Sequence, residues 1–147
     1  MQTADNVAKW FLSRNQVRFM GSDTEYITNL KLQKLLYYAQ GMHLGFYGEK
    51  IFDEPILAWA YGPVVKSVYD QYKGNESHGI FEFDFPVENF TDKEEDTLQF
   101  VNDSFGQFSA WKLVDMTHSE TPWKSALPGG EISVDVIQKY FRDNYVA

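Results

Sequence analysis

The chain has 147 residues, 44 % of them hydrophobic and 23 % charged, with a net charge of −8 and no cysteine. At this length about 69 % of the extended-chain surface is buried on folding, leaving roughly 7,800 Å² exposed, so a core forms without disulfides or structural metal. The missing cysteines exclude a disulfide scaffold, a thiol nucleophile and Cys-ligated zinc or iron–sulfur sites. No apolar run approaches the roughly 18 residues of a membrane span; the best, residues 35–39 and 56–61, are core-sized. The first ten residues lack the basic start and apolar stretch of a signal peptide. A cytoplasmic protein without membrane contact is expected.

Charge is unevenly spread. Residues 1–74 carry a net +1 and residues 75–147 a net −9. No basic footprint for phosphates exists, so direct nucleic-acid binding is not expected.

Along the chain, Val7, Trp10, Phe11 and Val17 recur at helical spacing over residues 3–16, with Thr3 or Asp5 placed to cap. Gly21, Ser22 and Asp23 mark a turn. A longer helix is predicted from Thr28 or Asn29 to Gly48, with Leu32, Leu35, Leu36, Ala39, Met42 and His43 on one apolar face and Lys31 and Lys34 off it. Residues 56–61 read as an extended segment closed by Gly62-Pro63. Pro63 then stands at the first position of a helix reaching Tyr72. Residues 80–85, Ile-Phe-Glu-Phe-Asp-Phe, alternate strictly and predict a short strand.

Thr91 and Glu94 match a capping box for a helix to Phe105 or Phe108. Ser109 caps the next, to Thr117. Thr121-Pro122 has the form of a cap followed by proline, opening a short turn to Leu127. Ser133 caps the last helix, with Asp135 in its first turn. The expected fold is mainly α: one compact domain over residues 1–147, with six or seven helices and at most a short β-hairpin. Leu32, Leu35, Leu36, Ala39, Val65, Val68, Leu98, Val101, Ile137 and Phe141 are the predicted core.

Three constellations bear on function. His118 and Glu120 could form an acid–base or metal pair. No third ligand is spaced to join them, since His43 lies on a helix and His78 in a loop. The simpler reading is that both bond the backbone of a tight turn. Ser119 lacks a nucleophile elbow or an orienting carboxylate. No catalytic residue, metal or cofactor is therefore assigned. Second, Trp59, Tyr61, Gly62 and Pro63 form a connector that is either a structural corner or a binding element. Third, residues 76–103 hold nine carboxylates against one base, Lys93; this is a solvated face or a lure for a basic protein.

Several segments fall together in order: ITNLKLQKLLYYAQG at 27–41, AWAYGPV at 58–64, Val68-Tyr69, THSETPWKSA at 117–126 and IQKYF at 137–141. On these the chain resembles the Panacea domain, the SocA-like antitoxin family that includes phage-associated GepA-like proteins. The resemblance spans residues 4–142; residues 74–89 fall outside its familiar segments.

It implies an antitoxin, bacterial or prophage-encoded, that neutralises a cognate protein toxin by direct binding. Some relatives are thought to present the toxin to a protease, which makes a proteolytic adaptor the alternative reading. An enzyme using His118 and Glu120 is the remaining one. Because the chain starts close to its core, no added helix-turn-helix is expected, and no oligomeric state is implied. The residues expected to bind the partner are Trp59, Tyr61, Gly62, Pro63, His118, Glu120, Pro122 and Trp123.

The two connectors are expected to meet within about 4.5 Å, the contact distance. Tyr61 and Trp123 are the expected anchors for a basic or amphipathic toxin, with Glu94, Glu95 and Asp96 steering it.

Overall fold

Side-chain caps set most helix starts. The computed structural model describes residues 1–19, 26–75, 77–87 and 89–146. In chain order these form α1 (Ala4–Phe19), α2 (Asn29–Tyr47), β1 (Leu57–Trp59), β2 (Gly62–Val64), α3 (Lys66–Tyr72), a 3-10 turn (Lys73–Asn75), α4 (Asp92–Phe105), α5 (Ala110–His118), α6 (Thr121–Lys124) and α7 (Val134–Tyr145). Thr3 Oγ1 accepts from the Asn6 amide, Thr28 from Lys31, Ser109 from Lys112 and Ser133 from Val136. Thr91 and Glu94 form both halves of a capping box, satisfying amides that a helix start leaves unpaired. Gly21, Ser22 and Asp23 lie outside the described residues, as does the side chain of Val17.

Helix α2 is the hub. Helices α1, α4, α5 and α7 all pack against it, with β2 and α3 at its N-terminal half. It is therefore buried on every side, from Leu32 to Gly45. Its polar residues serve the chain around it. Gln33 Oε1 accepts from the Val65 amide while its Nε2 donates to Asn29, and Asn29 Nδ2 donates to the Tyr69 carbonyl. Gln40 accepts from the Ile51 amide and donates to the Phe52 carbonyl. Gln33 and Gln40 thus hold loop backbone that would otherwise be buried unpaired, and Asn29 ties α2 to α3. All ten predicted core residues are buried.

Close approach between α2 and α7 depends on one glycine. A Cβ at Gly41 would sit 2.3 Å from Phe141 ring atoms. Gly41→Ala should gain helix propensity but force Phe141 off its site, for a net loss of about 2 kcal/mol. A lowered urea midpoint with unchanged slope is the expected reading; an unchanged midpoint would show that α7 repacks freely.

The hairpin pairs Leu57 with Val64, Ala58 with Pro63 and Trp59 with Gly62. Here Pro63 is a strand residue, and α3 begins at Lys66 rather than at Pro63. The strand tolerates proline because Ala58 turns its own backbone the other way. Its amide donates to Gly130 and its carbonyl accepts from Gly129, so residues 129–132 run alongside as an irregular third piece. Gly62 has φ +103°, which only glycine adopts without strain.

Residues 80–85 form no strand either. Ile80 is buried and its amide donates to the Ile27 carbonyl, but Phe81 and Phe85 are exposed and among the described residues no neighbouring strand receives them. Alternation needs a partner to become a ladder. Among the described residues no helix is long and apolar enough to cross a membrane.

Candidate functional site

The two connectors meet as expected. Trp123 Nε1 donates to the Trp59 carbonyl at 2.8 Å, and His118 Nε2 lies 2.9 Å from the Ala60 carbonyl. A carbonyl only accepts, so Nε2 carries the proton. The His118 ring lies tilted by 34° against Trp123, with centroids 4.2 Å apart. The hairpin tip is thereby fixed to the start of α6, and Tyr61 is left 61 % exposed, edge-on to Trp111, itself 59 % exposed.

Between these elements and α2 lies a cleft of about 780 Å³, within the usual range for a ligand pocket. Trp59, Tyr61, Tyr69, Trp111 and Trp123 supply its aromatic lining. Of the eight residues expected at the interface, Trp59, Tyr61 and Trp123 line it; Gly62, Pro63, His118, Glu120 and Pro122 do not. Gly62, Pro63 and Pro122 are buried and shape the corner rather than its surface.

Lys34 also lines the cleft and corrects its predicted place off the apolar face. It is 0 % exposed, and among the described residues the one acceptor for its Nζ is the Pro63 carbonyl at 2.9 Å. Gly62 makes room for it, since a Cβ there would lie 2.7 Å from Lys34 Cε and 2.8 Å from Thr117 Oγ1. Burial without a counter-ion disfavours the ammonium and lowers its pKa to about 7.

Glu120 departs from expectation as well. Its carboxylate bonds side chains, not turn backbone: Tyr37 donates at 2.9 Å, Tyr38 at 3.1 Å, and Tyr145 also donates. It is 3 % exposed, and burial raises its pKa despite the three phenols that favour the carboxylate. Glu120 is itself the residue before α6, so Thr121 and Pro122 fall inside the first turn instead of Thr121 capping it. His118 bonds the hairpin and Glu120 bonds tyrosines, so neither is the other's hydrogen-bond partner. Among the described residues no cluster of His, Asp and Glu is arranged to hold a metal.

The family model described as antitoxin SocA-like, Panacea domain, matches residues 32–124. The chain belongs to this family. No curated protein and no solved structure matches it. The Panacea match takes in the whole hairpin, α5 and α6, and so all five aromatics and all three lysines of the cleft.

In this Panacea chain the acidic face is less free than its sequence suggests. Glu94 is buried within its capping box and also accepts from Gln2. Glu95 accepts from Trp10 Nε1 and pairs with Arg14 at 3.2 Å. Reversing Glu94 and Glu95 would thus break local structure, and only Asp92, Asp96 and Asp103 on α4 stand as exposed carboxylates. Glu76 and Glu88 lie outside the described residues. Sequence reasoning missed Trp111, Tyr69, Lys34, Lys73 and Lys124 as cleft residues. Trp111 had a signal: it lies off the buried stripe of Leu113, Val114 and Thr117. The lysines had none, being spread from position 34 to 124.

Proposed function

We propose that this chain is the cytoplasmic antitoxin of a toxin–antitoxin pair, encoded beside its toxin in a bacterial or prophage genome. It acts by direct protein–protein contact, without catalysis. The observation that carries the reading is the preformed aromatic cleft at the junction of the two connectors, within a domain of an antitoxin family. Exposed aromatics held rigid beforehand are what binding hot spots require, because little ordering entropy is lost on contact. In this reading the 147 residues act as one Panacea domain, with α1 and α7 closing the core around the matched segment.

Co-expression with the adjacent gene tests it. Wild-type chain should restore growth and co-purify with the toxin in a fixed ratio. Tyr61→Ala and Trp111→Ala, both at exposed positions, should leave the fold intact and speed dissociation about 30-fold, the equivalent of a 2 kcal/mol hot spot. Full neutralisation by the double variant would move the interface elsewhere. An adaptor that presents the toxin to a protease uses the same contact. It differs in requiring the protease before toxin levels fall.

A further inference from the structure

The cleft has the opposite charge to the molecule. The chain carries 21 acidic and 13 basic residues, yet among the described residues the cleft lining includes Lys34, Lys73 and Lys124 and not one Asp or Glu. We propose that the cleft takes a short segment of the partner protein that brings a carboxylate beside an aromatic or branched aliphatic side chain. This deepens the reading of the cleft as the partner site and rests on it, and it differs from the lure for a basic protein expected of the acidic block at residues 76–103.

Lys73 and Lys124 are exposed to an incoming anion, and Lys34 lies buried in the wall behind them. Lys34 is a fully buried ammonium with three donors and one acceptor among the described residues. The fold keeps room for it by leaving position 62 without a side chain. Burying such a group without a counter-ion is costly, and an incoming carboxylate would offset that cost. Lys124 is exposed at the rim next to Trp123, and its ammonium has no ion-pair partner among the described residues. Lys73 is also exposed, 3.8 Å from an Asp70 whose shorter pair, 2.6 Å, is with Lys66. Between these cations the aromatic walls offer faces and edges to an apolar side chain. Acidic and apolar groups side by side satisfy both parts of the lining; a basic segment would face the like charges of Lys73 and Lys124.

Long-range and local fields then act in opposite directions. At distances beyond a Debye length of about 8 Å the net −8 repels an acidic segment, whereas inside the cleft the lysines attract it. Association with an acidic peptide should therefore quicken, not slow, as salt first rises.

Two probes with one body and opposite charge test the chemistry: 3-phenylpropionate and 3-phenylpropylammonium. The four indole N–H resonances are the readout, since Trp59, Trp111 and Trp123 line the cleft and Trp10 lies against Glu95 on α4. The carboxylate should shift the three cleft indoles saturably and leave Trp10 in place. The ammonium should do neither at equal concentration. Lys124→Glu should weaken carboxylate binding at least fivefold. Selection of random displayed 12-mers on the folded protein should enrich peptides with Asp or Glu next to an aromatic or aliphatic residue, eluted by 3-phenylpropionate.

Equal binding of the two probes, indifference to Lys124→Glu, or enrichment of Lys- and Arg-rich peptides would overturn the inference. The co-expression assay separates it from the reading beneath it. Probe preference lost while Tyr61→Ala still abolishes neutralisation defeats this inference alone. Probe preference intact while no cleft variant affects neutralisation defeats the cleft as toxin interface.

Discussion

Glu120→Ala is expected to lower the thermal midpoint by roughly 10 °C, the largest loss from any single truncation at the connectors. The carboxylate ties the α5–α6 junction to Tyr37 and Tyr38 of α2 and Tyr145 of α7. Two of those tyrosines are completely buried, so truncation takes the carboxylate acceptor from both hydroxyls and leaves Tyr38 its contact with Tyr145. Orphaned buried donors cost about 1–3 kcal/mol each, which with the lost bonds sums to roughly 4 kcal/mol. That is a large part of the usual 5–15 kcal/mol of a domain (an order-of-magnitude comparison, about a third). Glu120→Gln keeps an acceptor and should lose far less.

The acid also has a pH signature. Burial raises its pKa in the folded chain, so the folded state holds this proton more tightly than the unfolded one. Its contribution is complete below the ordinary glutamate pKa and is lost as pH rises through the raised value. Wild type should gain on the Gln variant as the solution is acidified. Equal melting of the Ala variant and wild type, with unchanged near-ultraviolet dichroism, would show that the cluster carries no stability.

How far the sequence reveals this molecule follows the range of the interactions involved. Helix starts at Thr28, Thr91, Ser109 and Ser133 were legible because a cap hydroxyl and the amide that donates to it lie three residues apart. The core residues were legible because apolar spacing reports the buried stripe. Lys34 was not, because a helical stripe presumes solvent on the far side, and α2 has neighbours all round. Pro63 was misplaced for a related reason. Proline after glycine fits a helix start locally, and only the turning of Ala58 toward Gly129 and Gly130 makes it a strand residue. Residues 80–85 carried the strand period but no partner.

Within the site, the meeting of the connectors could be anticipated from two Pro-containing aromatic corners. The charge of the cleft could not, since it comes from lysines on three separate elements: α2, the 3-10 turn and α6. Nor could the tyrosine cage, which needs α2 and α7 in register around one carboxylate.

Lys34→Met should remove the rise of stability with pH that begins near neutrality. In the folded chain burial lowers the Lys34 pKa from 10.5 to about 7. Below pH 7 both states are protonated and the fold bears the full cost of a buried ammonium. Above it the native chain releases the proton while the unfolded chain still holds one, so stability rises with pH toward the ordinary lysine value. The slope is about 1.4 kcal/mol per pH unit, or roughly 3 kcal/mol between pH 7 and 9.5. Beyond that window the tyrosines of the cage intervene: burial raises the pKa of Tyr37, Tyr38 and Tyr145, and ionisation of the unfolded phenols then opposes folding. Methionine fills nearly the same space without charge, leaving only the Pro63 carbonyl without its donor. At pH 6 the variant should be more stable than wild type by about 1–3 kcal/mol, as when a buried ion is replaced by an apolar isostere. By pH 9.5 the two should converge. Urea titrations at pH 6, 7.5 and 9 read this directly, and parallel curves would show that Lys34 keeps its charge, paired, throughout. If the cleft holds the partner as proposed, Lys34→Met should fold better at pH 6 and neutralise worse.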